Sequence, residues 1–367
     1  GFNTATDISL ERQMHSLCGF TEAEILALLQ RTGDHCSFTP EQREQSSQLM
    51  RSFYNGYTFL PDAGEALYNP TLSLYFLDAL QRNCSPPTEM LDVNLAIDKN
   101  KLDYIASRPG GARLIQQLLE EQPAVDIQRI VNHFSLQDLL KPKLSMSSLA
   151  SLLFYFGMTT VQGRNTQGQL RLRIPNLVTH GLYFEQLREL LLPDEFEQDA
   201  GRELAQQFCH TGHLQPLCEF IQTHVYRAFS NRDYRHANEL TVKALFLSLL
   251  YNDLAYLVDS EPELDRRYAD LLMLLRPDYR QYQLFDILIE FKYVDLPAVQ
   301  LRAEQVRSKS VAELTELAPI NQAFTTARKA LQAYHQTLHA TYSERLKLRV
   351  YAVVSLGFER LLWQEIN

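Results

Sequence analysis

Residues 268–295, YADLLMLLRPDYRQYQLFDILIEFKYVD, decide how the C-terminal half of the chain folds. Two apolar runs, Ala269–Leu275 and Phe285–Val294, flank a polar turn centred near Arg280. Apolar runs on both sides of a polar turn predict an antiparallel β-hairpin. The second run is so apolar that we expect it to be the central strand of its sheet.

The hairpin brings charged side chains together inside apolar strands. With the turn near Arg280, position 270 lies opposite position 290, and opposed residues of antiparallel strands have Cβ atoms about 5 Å apart. Asp270 and Glu290 are therefore predicted neighbours. Because side chains alternate along a strand, Glu290 and Lys292 share one face, and the odd positions from 285 to 293 form an apolar row on the other. Such charges are costly to bury unless they are paired or hold a metal.

These residue types suit metal-assisted hydrolysis of a phosphodiester. Two carboxylates hold Mg²⁺ or Mn²⁺, the ion activates water, and a lysine orients the nucleophile. The alternative is structural: Asp270 caps a strand, while Glu290 and Lys292 form an ion pair on a solvent-facing edge. The literal Pro277-Asp278 pair is not expected in the site, because the hairpin register places it roughly 26 Å from Glu290.

Flanking segments extend the pattern. Upstream, residues 236–253 predict a helix with Asn238 as its cap, and Glu239 in the first turn either complements the helix dipole or binds metal. Downstream, residues 325–342 predict a helix whose Lys329, Gln332 and His335 either approach a phosphate or lie on an exposed polar face. A strand follows at 346–357. The order helix, strand, hairpin, helix, strand predicts a mixed sheet packed by helices.

The N-terminal half predicts helices and a winged helix. Thr21 and Glu24 form a capping-box pattern, a second helix runs to Gly56, another covers Thr71–Leu80, and residues 91–140 also look helical. Residues 145–176 then predict a helix and two strands around the turn GRNTQG. Three arginines of this wing either contact DNA or belong to a wing used only to pack domains together: Arg164, Arg171 and Arg173.

Composition limits the classes of function. The net charge of -9 disfavours a protein that coats nucleic acid by overall charge, so any such surface must be local. No apolar run reaches the length of a membrane span and no export signal is seen, which favours the cytoplasm. Five scattered cysteines without a CxxC pair predict no disulfide framework and a reducing compartment. Cys209, His210, His213 and Cys218 have loosely zinc-like spacing, although core cysteines in helices explain them as well.

Several segments together resemble bacterial proteins that join an AAA-ATPase-like region to a C-terminal PD-(D/E)XK nuclease domain. The similar C-terminal segments are NELTVKALFLSLL, YLVDSEPELDRRYADLLML, YQLFDILIEFKYV and ARKALQAYHQTL; the N-terminal ones include FYNGYTF, LYNP and SLLFYFGMTTV with LRIPN. The resemblance implies metal-site roles for Glu239, Asp270 and Glu290, a catalytic role for Lys292 and an accessory role for Gln332.

The resemblance also implies an α+β architecture in two parts. Residues 1–195 would be the later part of the ATPase-like region with its winged-helix lid, and residues 196–367 the restriction-endonuclease-like domain. The phosphate loop is missing, so we expect no ATP site in this chain and a longer parent protein. The leading hypothesis is a nuclease that acts on DNA or RNA, in which the helical and winged N-terminal half positions either the nucleic acid or a protein partner. The alternative is an inactive nuclease fold that serves as an interaction module in a defence system or as a secreted effector.

Overall fold

The chain divides into two units, Gly1–Gln186 and Leu187–Asn367. The boundary expected from the sequence lies slightly later, between residues 195 and 196. The computed structural model describes residues 11–91, 97–119, 124–132, 134, 143–226, 239–252, 254–259, 263–264, 267–268, 270–342 and 346–366. Asn238, the predicted helix cap, and Ala269 lie outside these ranges.

Helices make up most of the first unit. A 3₁₀ turn at Arg12–Met14 precedes α1 (Glu22–His35), α2 (Pro40–Tyr54), α3 (Pro70–Asn83), α4 (Ile97–Ala106), α5 (Gly111–Leu118), α6 (Met146–Tyr155) and α7 (Leu177–Leu191), the last of which continues into the second unit.

The first helix begins where the sequence predicts. Thr21 accepts a hydrogen bond from the backbone of Glu24, whose carboxylate accepts in return from the backbone of Thr21, so that two exposed N–H groups are satisfied. Helix α2 ends at Tyr54, two residues before Gly56. That glycine has φ +114°, and a Cβ there would lie 2.0 Å from the carbonyl oxygen of Pro175. Only glycine fits this position.

A disulfide joins the ends of two helices in the first unit. Cys36 follows α1, Cys84 follows α3, and their Cα atoms are 5.5 Å apart. The prediction that the cysteines form no disulfide is therefore wrong for this pair. The two residues are 48 positions apart, and only the packing of α1 against α3 brings them together.

A helix and a small sheet form the winged unit. Helix α6 precedes β2 (Thr160–Arg164) and β3 (Leu170–Arg173), which pair in an antiparallel way as predicted. The structure adds β1 (Val125–Ile127) on the other side of β3, within a segment for which the sequence predicts helix. A three-residue strand is too short for its alternation to stand out from a helical pattern.

Two of the three wing arginines form contacts within the wing. Arg171 forms an ion pair with Asp126 of β1 at 3.1 Å, and Arg164 donates to the carbonyl of Gly168 at 2.7 Å. Arg173 is partly buried, and burial lowers its pKa. These contacts stabilise the wing itself and favour neither of its two predicted roles.

The second unit contains the mixed sheet that the sequence predicts. Its helices are α8 (Glu195–Thr211), α9 (Gln215–Phe220, continued as a π-helical turn over Ile221–Val225), α10 (Glu239–Leu250), α11 (Leu296–Val299), α12 (Ala303–Ser308), α13 (Val311–Thr315) and α14 (Ala318–Tyr342). Its strands are β4 (Tyr256–Asp259), β5 (Glu263–Leu264), β6 (Arg267–Tyr268), β7 (Leu271–Leu275), β8 (Asp286–Val294), β9 (Leu348–Leu356) and β10 (Arg360–Glu365).

Strand β8 is central in a five-stranded sheet of order β10-β9-β8-β7-β4. It pairs antiparallel with β7 and parallel with β9, while β5 and β6 form a separate two-stranded ribbon. The predicted α+β architecture, a mixed sheet flanked by helices, is confirmed. Strand β10 is an addition to the strands that the sequence predicts.

One face of the sheet packs on α14. The shared core contains Leu288 and Val294 of β8 together with Phe324, Leu331 and Leu338 of the helix. Glu290 and Lys292 occupy the positions between Leu288 and Val294 and so belong to the same face of the strand. The charged pair therefore interrupts an apolar row of the central strand.

Candidate active site: three carboxylates around Lys292

The register of the β7–β8 hairpin places Asp270 beside Glu290. Leu271 pairs with Ile289 and Met273 with Ile287, so the next position outward joins 270 to 290, in agreement with the register expected from the turn. The backbone N–H of Phe291 donates to Asp270 Oδ2 at 2.7 Å. This bond fixes the Asp270 carboxylate against the central strand, where it is buried.

Lys292 lies at the centre of an acidic cluster. Its Nζ is 2.7 Å from Glu239 Oε1, 3.2 Å from Glu290 Oε1 and 3.9 Å from Asp270 Oδ2. It also donates to the carbonyl of Phe291 at 2.6 Å. Three carboxylates and one ammonium group therefore converge at one place. We call these four side chains the Lys292 cluster.

Helix α10 supplies the third acid. Its interior is apolar, and Phe246 packs on Phe291 of β8 with ring centroids 5.0 Å apart. The first residue of α10, Glu239, accepts a hydrogen bond from Lys292. Glu239 thus has the favourable position for a carboxylate at a helix N-terminus and also belongs to the cluster.

Glu290 is the most unusual member of the cluster. Its side chain is 6% exposed, and its Oε2 atom is buried without a hydrogen-bond partner among the described residues. Burial and the neighbouring Asp270 raise the pKa of Glu290 to about 7, although Lys292 acts in the opposite direction. This burial contradicts the alternative in which Glu290 and Lys292 form an ion pair on a solvent-facing edge.

Lys292 is held in its charged form. Burial by itself would lower its pKa, but the negative charges of Glu290, Asp270 and Glu239 outweigh that effect and raise the pKa above its ordinary value. The ammonium group therefore keeps its proton throughout the physiological range. It supplies one positive charge to a site with three carboxylates.

The residue types of the cluster suit a hard divalent cation. With all three acids ionised, the cluster carries a net charge of -2, and Glu290 Oε2 is buried without a hydrogen-bond partner among the described residues. Oxygen ligands of this kind suit Mg²⁺ and Mn²⁺. In the described part of the chain, no three His, Cys, Asp or Glu side chains are arranged as a ready-made metal site. The Lys292 ammonium group lies where these carboxylates converge, so a cation would have to displace it.

Gln332 is not brought into the cluster by any contact of the described residues. It lies on the exposed side of α14, as does Lys329, while the core side of that helix carries Leu331 and Tyr334. No contact among the described residues therefore supports the accessory role that the resemblance implies for Gln332. Lys329 and Gln332 thus lie on an exposed polar face, which was the alternative expectation for this helix.

Asp278 lies away from the cluster, as the hairpin register predicts. It is in the 3₁₀ turn Pro277–Tyr279 beyond the paired strands, where it forms an ion pair with Arg276 at 2.8 Å. The zinc-like group near residue 210 does not assemble either. Cys209 and Cys218 are buried, and burial raises the pKa of both thiols, which is the behaviour of core cysteines.

Sequence reasoning missed Asp286, which holds the other end of the hairpin. Its fully buried carboxylate accepts hydrogen bonds from Arg280 at 3.0 Å, from the backbone of Leu275 at 2.8 Å and from the backbone of Lys347 at 2.9 Å. It thus ties β7, β8 and the start of β9 together. The signal available in the sequence was an aspartate inside the apolar run FDILIEF.

Lys243 is a second residue that sequence reasoning missed. It lies one helical turn after Glu239 in α10 and is buried. A charged residue in so apolar a helix is seldom fully buried unless it is paired. The lysine within the run LTVKALFLSLL was the signal that could have identified it.

Comparison with known proteins gives a similarity but no family. No protein-family model and no solved structure matches the chain. It is 26% identical over 332 residues to the "Uncharacterized protein in vnfD 5'region" of Azotobacter chroococcum mcd 1, and the match covers 85% of this chain and 54% of that protein. The chain thus spans about half the length of this relative.

Proposed function

We propose that the Lys292 cluster is the active site of a Mg²⁺- or Mn²⁺-dependent nuclease that hydrolyses phosphodiester bonds. The observation that carries the proposal is the buried Oε2 atom of Glu290, which has no described partner and lies beside Asp270 and Lys292. Leaving a buried carboxylate oxygen unpaired costs free energy of about 1–3 kcal/mol or more. A bound cation would remove that cost.

The carboxylates would hold the cation. Asp270 keeps its orientation through the bond from the Phe291 N–H, while Glu290 offers its unpaired oxygen. Glu239, at the edge of the cluster, adds a third hard ligand. When bound, the metal supplies a more acidic water molecule and a positive charge for the phosphoryl oxygens.

Lys292 would then act as the orienting cation. With the carboxylates engaged by a cation, the Lys292 ammonium group would be able to donate hydrogen bonds to the attacking water or to a phosphoryl oxygen. Because its pKa is raised, Lys292 donates as an ammonium ion and does not serve as a base. The proton of the attacking water must therefore leave to another acceptor, such as a carboxylate or a phosphate oxygen.

The nucleic acid would be bound locally, in the cytoplasm. The chain carries a net charge of -9, and the described contacts of Arg164 and Arg171 are internal to the wing. This favours a first unit that contacts a protein partner. Within the described ranges, every helix is too short or too polar to cross a membrane.

Mn²⁺ binding is the direct test. Isothermal titration of the chain should show binding that is lost in the Asp270→Ala, Glu290→Ala double variant. Asp278→Ala removes an acid from the same hairpin but outside the cluster and should bind as the wild type does. DNA and RNA, single-stranded and duplex, should then be cleaved by the wild type and at least about 100-fold more slowly by Asp270→Ala. Undiminished cleavage by Asp270→Ala contradicts the proposal.

A second function, an inactive nuclease fold used for interaction, is favoured by a different observation. Lys292 forms ion pairs with all three carboxylates, as the centre of a purely structural cluster would. The Cys36–Cys84 disulfide favours its secreted-effector form, because disulfides persist in oxidising compartments. This function predicts a folded wild type that binds no Mn²⁺ and cleaves no nucleic acid.

A further inference from the structure

Two histidines lie one helical turn apart near the C-terminal end of α14. His335 and His339 have ring centroids 4.4 Å apart, and their planes are inclined by 52°. Positions i and i+4 of a helix share one face, so a common backbone holds both rings. The helix is 25 residues long and packs on the sheet, which keeps this spacing fixed.

The surroundings leave the imidazole nitrogens accessible. Neighbouring residues Tyr334 and Leu338 belong to the core, His335 is partly buried and His339 is exposed. Neither ring has a hydrogen bond or an ion pair with another residue of the described ranges. Burial, and then the proximity of His339, lowers the pKa of His335, which favours the neutral ring that can bind a metal.

We propose that His335 and His339 form a two-histidine site for a borderline divalent cation such as Zn²⁺, Ni²⁺ or Cu²⁺. Metal–nitrogen bonds of about 2.0–2.1 Å in tetrahedral geometry separate two ligand nitrogens by roughly 3.3 Å. Rings with centroids 4.4 Å apart reach that separation by a small side-chain rotation. The remaining coordination positions stay open to water or to a ligand from solution.

The site should select metals differently from the Lys292 cluster. Imidazole nitrogen prefers Cu²⁺, Ni²⁺ and Zn²⁺, and affinity for divalent ions rises toward Cu²⁺, whereas the carboxylates of the Lys292 cluster suit Mg²⁺ and Mn²⁺. The second unit would then hold two sites with distinct chemistry. This inference does not depend on the proposed nuclease function.

Ni²⁺ and Cu²⁺ are the probes for the test. Titration of the full chain with Ni²⁺ should give a binding event that falls at least tenfold in affinity in His335→Gln and in His339→Gln, because each loses the chelate. Cu²⁺ bound at one equivalent should show coupling to two nitrogens in electron paramagnetic resonance. His339 is exposed, so its variant should keep the circular dichroism spectrum and melting temperature of the wild type.

Two controls separate this site from other metal binding by the chain. The His210→Gln, His213→Gln variant removes another pair of histidines that are close in sequence. The Asp270→Ala, Glu290→Ala variant removes the carboxylate site. Both double variants should bind Ni²⁺ with the affinity of the wild type. The proposal is overturned if the wild type binds no Ni²⁺, if the His335→Gln, His339→Gln double variant binds it unchanged, or if the His210 and His213 control loses it equally.

Discussion

At the scale of single residues, the protonation of Glu290 links the cluster to stability. Its pKa in the folded chain, about 7, lies above the ordinary value of 4.5. Between these two pH values the folded state binds more protons than the unfolded state, so the free energy of unfolding falls as pH rises. The stabilisation is complete below about pH 4.5 and is lost by the time the pH has risen through 7.

Replacing the Glu290 carboxyl group by an amide should remove this dependence of stability on pH. In metal-free buffer, urea unfolding of the wild type between pH 5 and 8 should show a decline on the order of 1–3 kcal/mol that Glu290→Gln lacks. Glu304→Gln, at an exposed position, is the matched control and should follow the wild type. If the free energy of unfolding changed with pH in the same way for the wild type and Glu290→Gln, the raised pKa of Glu290 would be contradicted.

Lys292 should be needed for stability chiefly when no metal is present. Its removal leaves three neighbouring carboxylates without their shared cation, and breaking a buried pair from one side costs about 3–5 kcal/mol. Because Glu239 is partly exposed, we expect roughly 2–4 kcal/mol for Lys292→Gln in the presence of a chelator. Mn²⁺ should restore most of this loss, because it supplies the missing positive charge.

Thermal unfolding with a chelator and with Mn²⁺ measures this difference. Lys309→Gln disrupts an exposed pair with Glu313 and should shift stability by less than about 1 kcal/mol under both conditions. If Lys292→Gln were equally destabilised with and without Mn²⁺, the cluster would be a structural ion-pair network, and the interaction-module function would be favoured.

At the scale of elements, Asp286 decides whether the hairpin keeps its register. A shift by one residue would turn every side chain of β8 to the opposite face and separate Asp270 from Glu290. Asp286→Ala leaves Arg280 and the N–H groups of Leu275 and Lys347 without their acceptor. We expect a loss of about 3–5 kcal/mol in urea unfolding and a weaker affinity for Mn²⁺.

The control for this variant is an exposed aspartate. Asp199→Ala removes a partner of Arg202 at the surface of α8 and should cost less than about 1 kcal/mol. Asp286→Asn keeps one carbonyl oxygen as an acceptor, so its loss of stability should lie between those of Asp286→Ala and Asp199→Ala. A stability of Asp286→Ala close to that of Asp199→Ala would show that the register is held by the apolar pairs alone.

The elements that sequence reasoning found are those determined by local chemistry. The β7–β8 register follows from a turn near Arg280 and the apolar runs on each side, so the order of residues alone suffices to match Asp270 with Glu290. The capping box at Thr21 likewise needs only neighbouring residues. The pairing of Cys36 with Cys84 could not be predicted, because it depends on how two helices distant in sequence pack.

At the scale of the whole molecule, each unit has a core and a distinct chemical feature. The disulfide lies in the first unit, and the Lys292 cluster lies in the second. A crosslink stabilises mainly by restricting the unfolded chain, so its effect should be confined to the part of the chain that it closes. Metal binding at the cluster should respond to changes within the second unit, such as those in its carboxylates, in Lys292 or in Asp286, and not to loss of the disulfide.

Selective loss of the disulfide tests this separation. Closing a loop of 48 residues is worth up to about 4 kcal/mol, so Cys36→Ser should lower the unfolding transition of the first unit substantially. Mn²⁺ affinity, measured on the same sample, should not change. Cys18→Ser, which removes an exposed free thiol, is the matched control and should alter neither quantity. A Cys36→Ser variant that weakened Mn²⁺ binding would show that the carboxylate site depends on the first unit, because no residue of the cluster comes from that part of the chain.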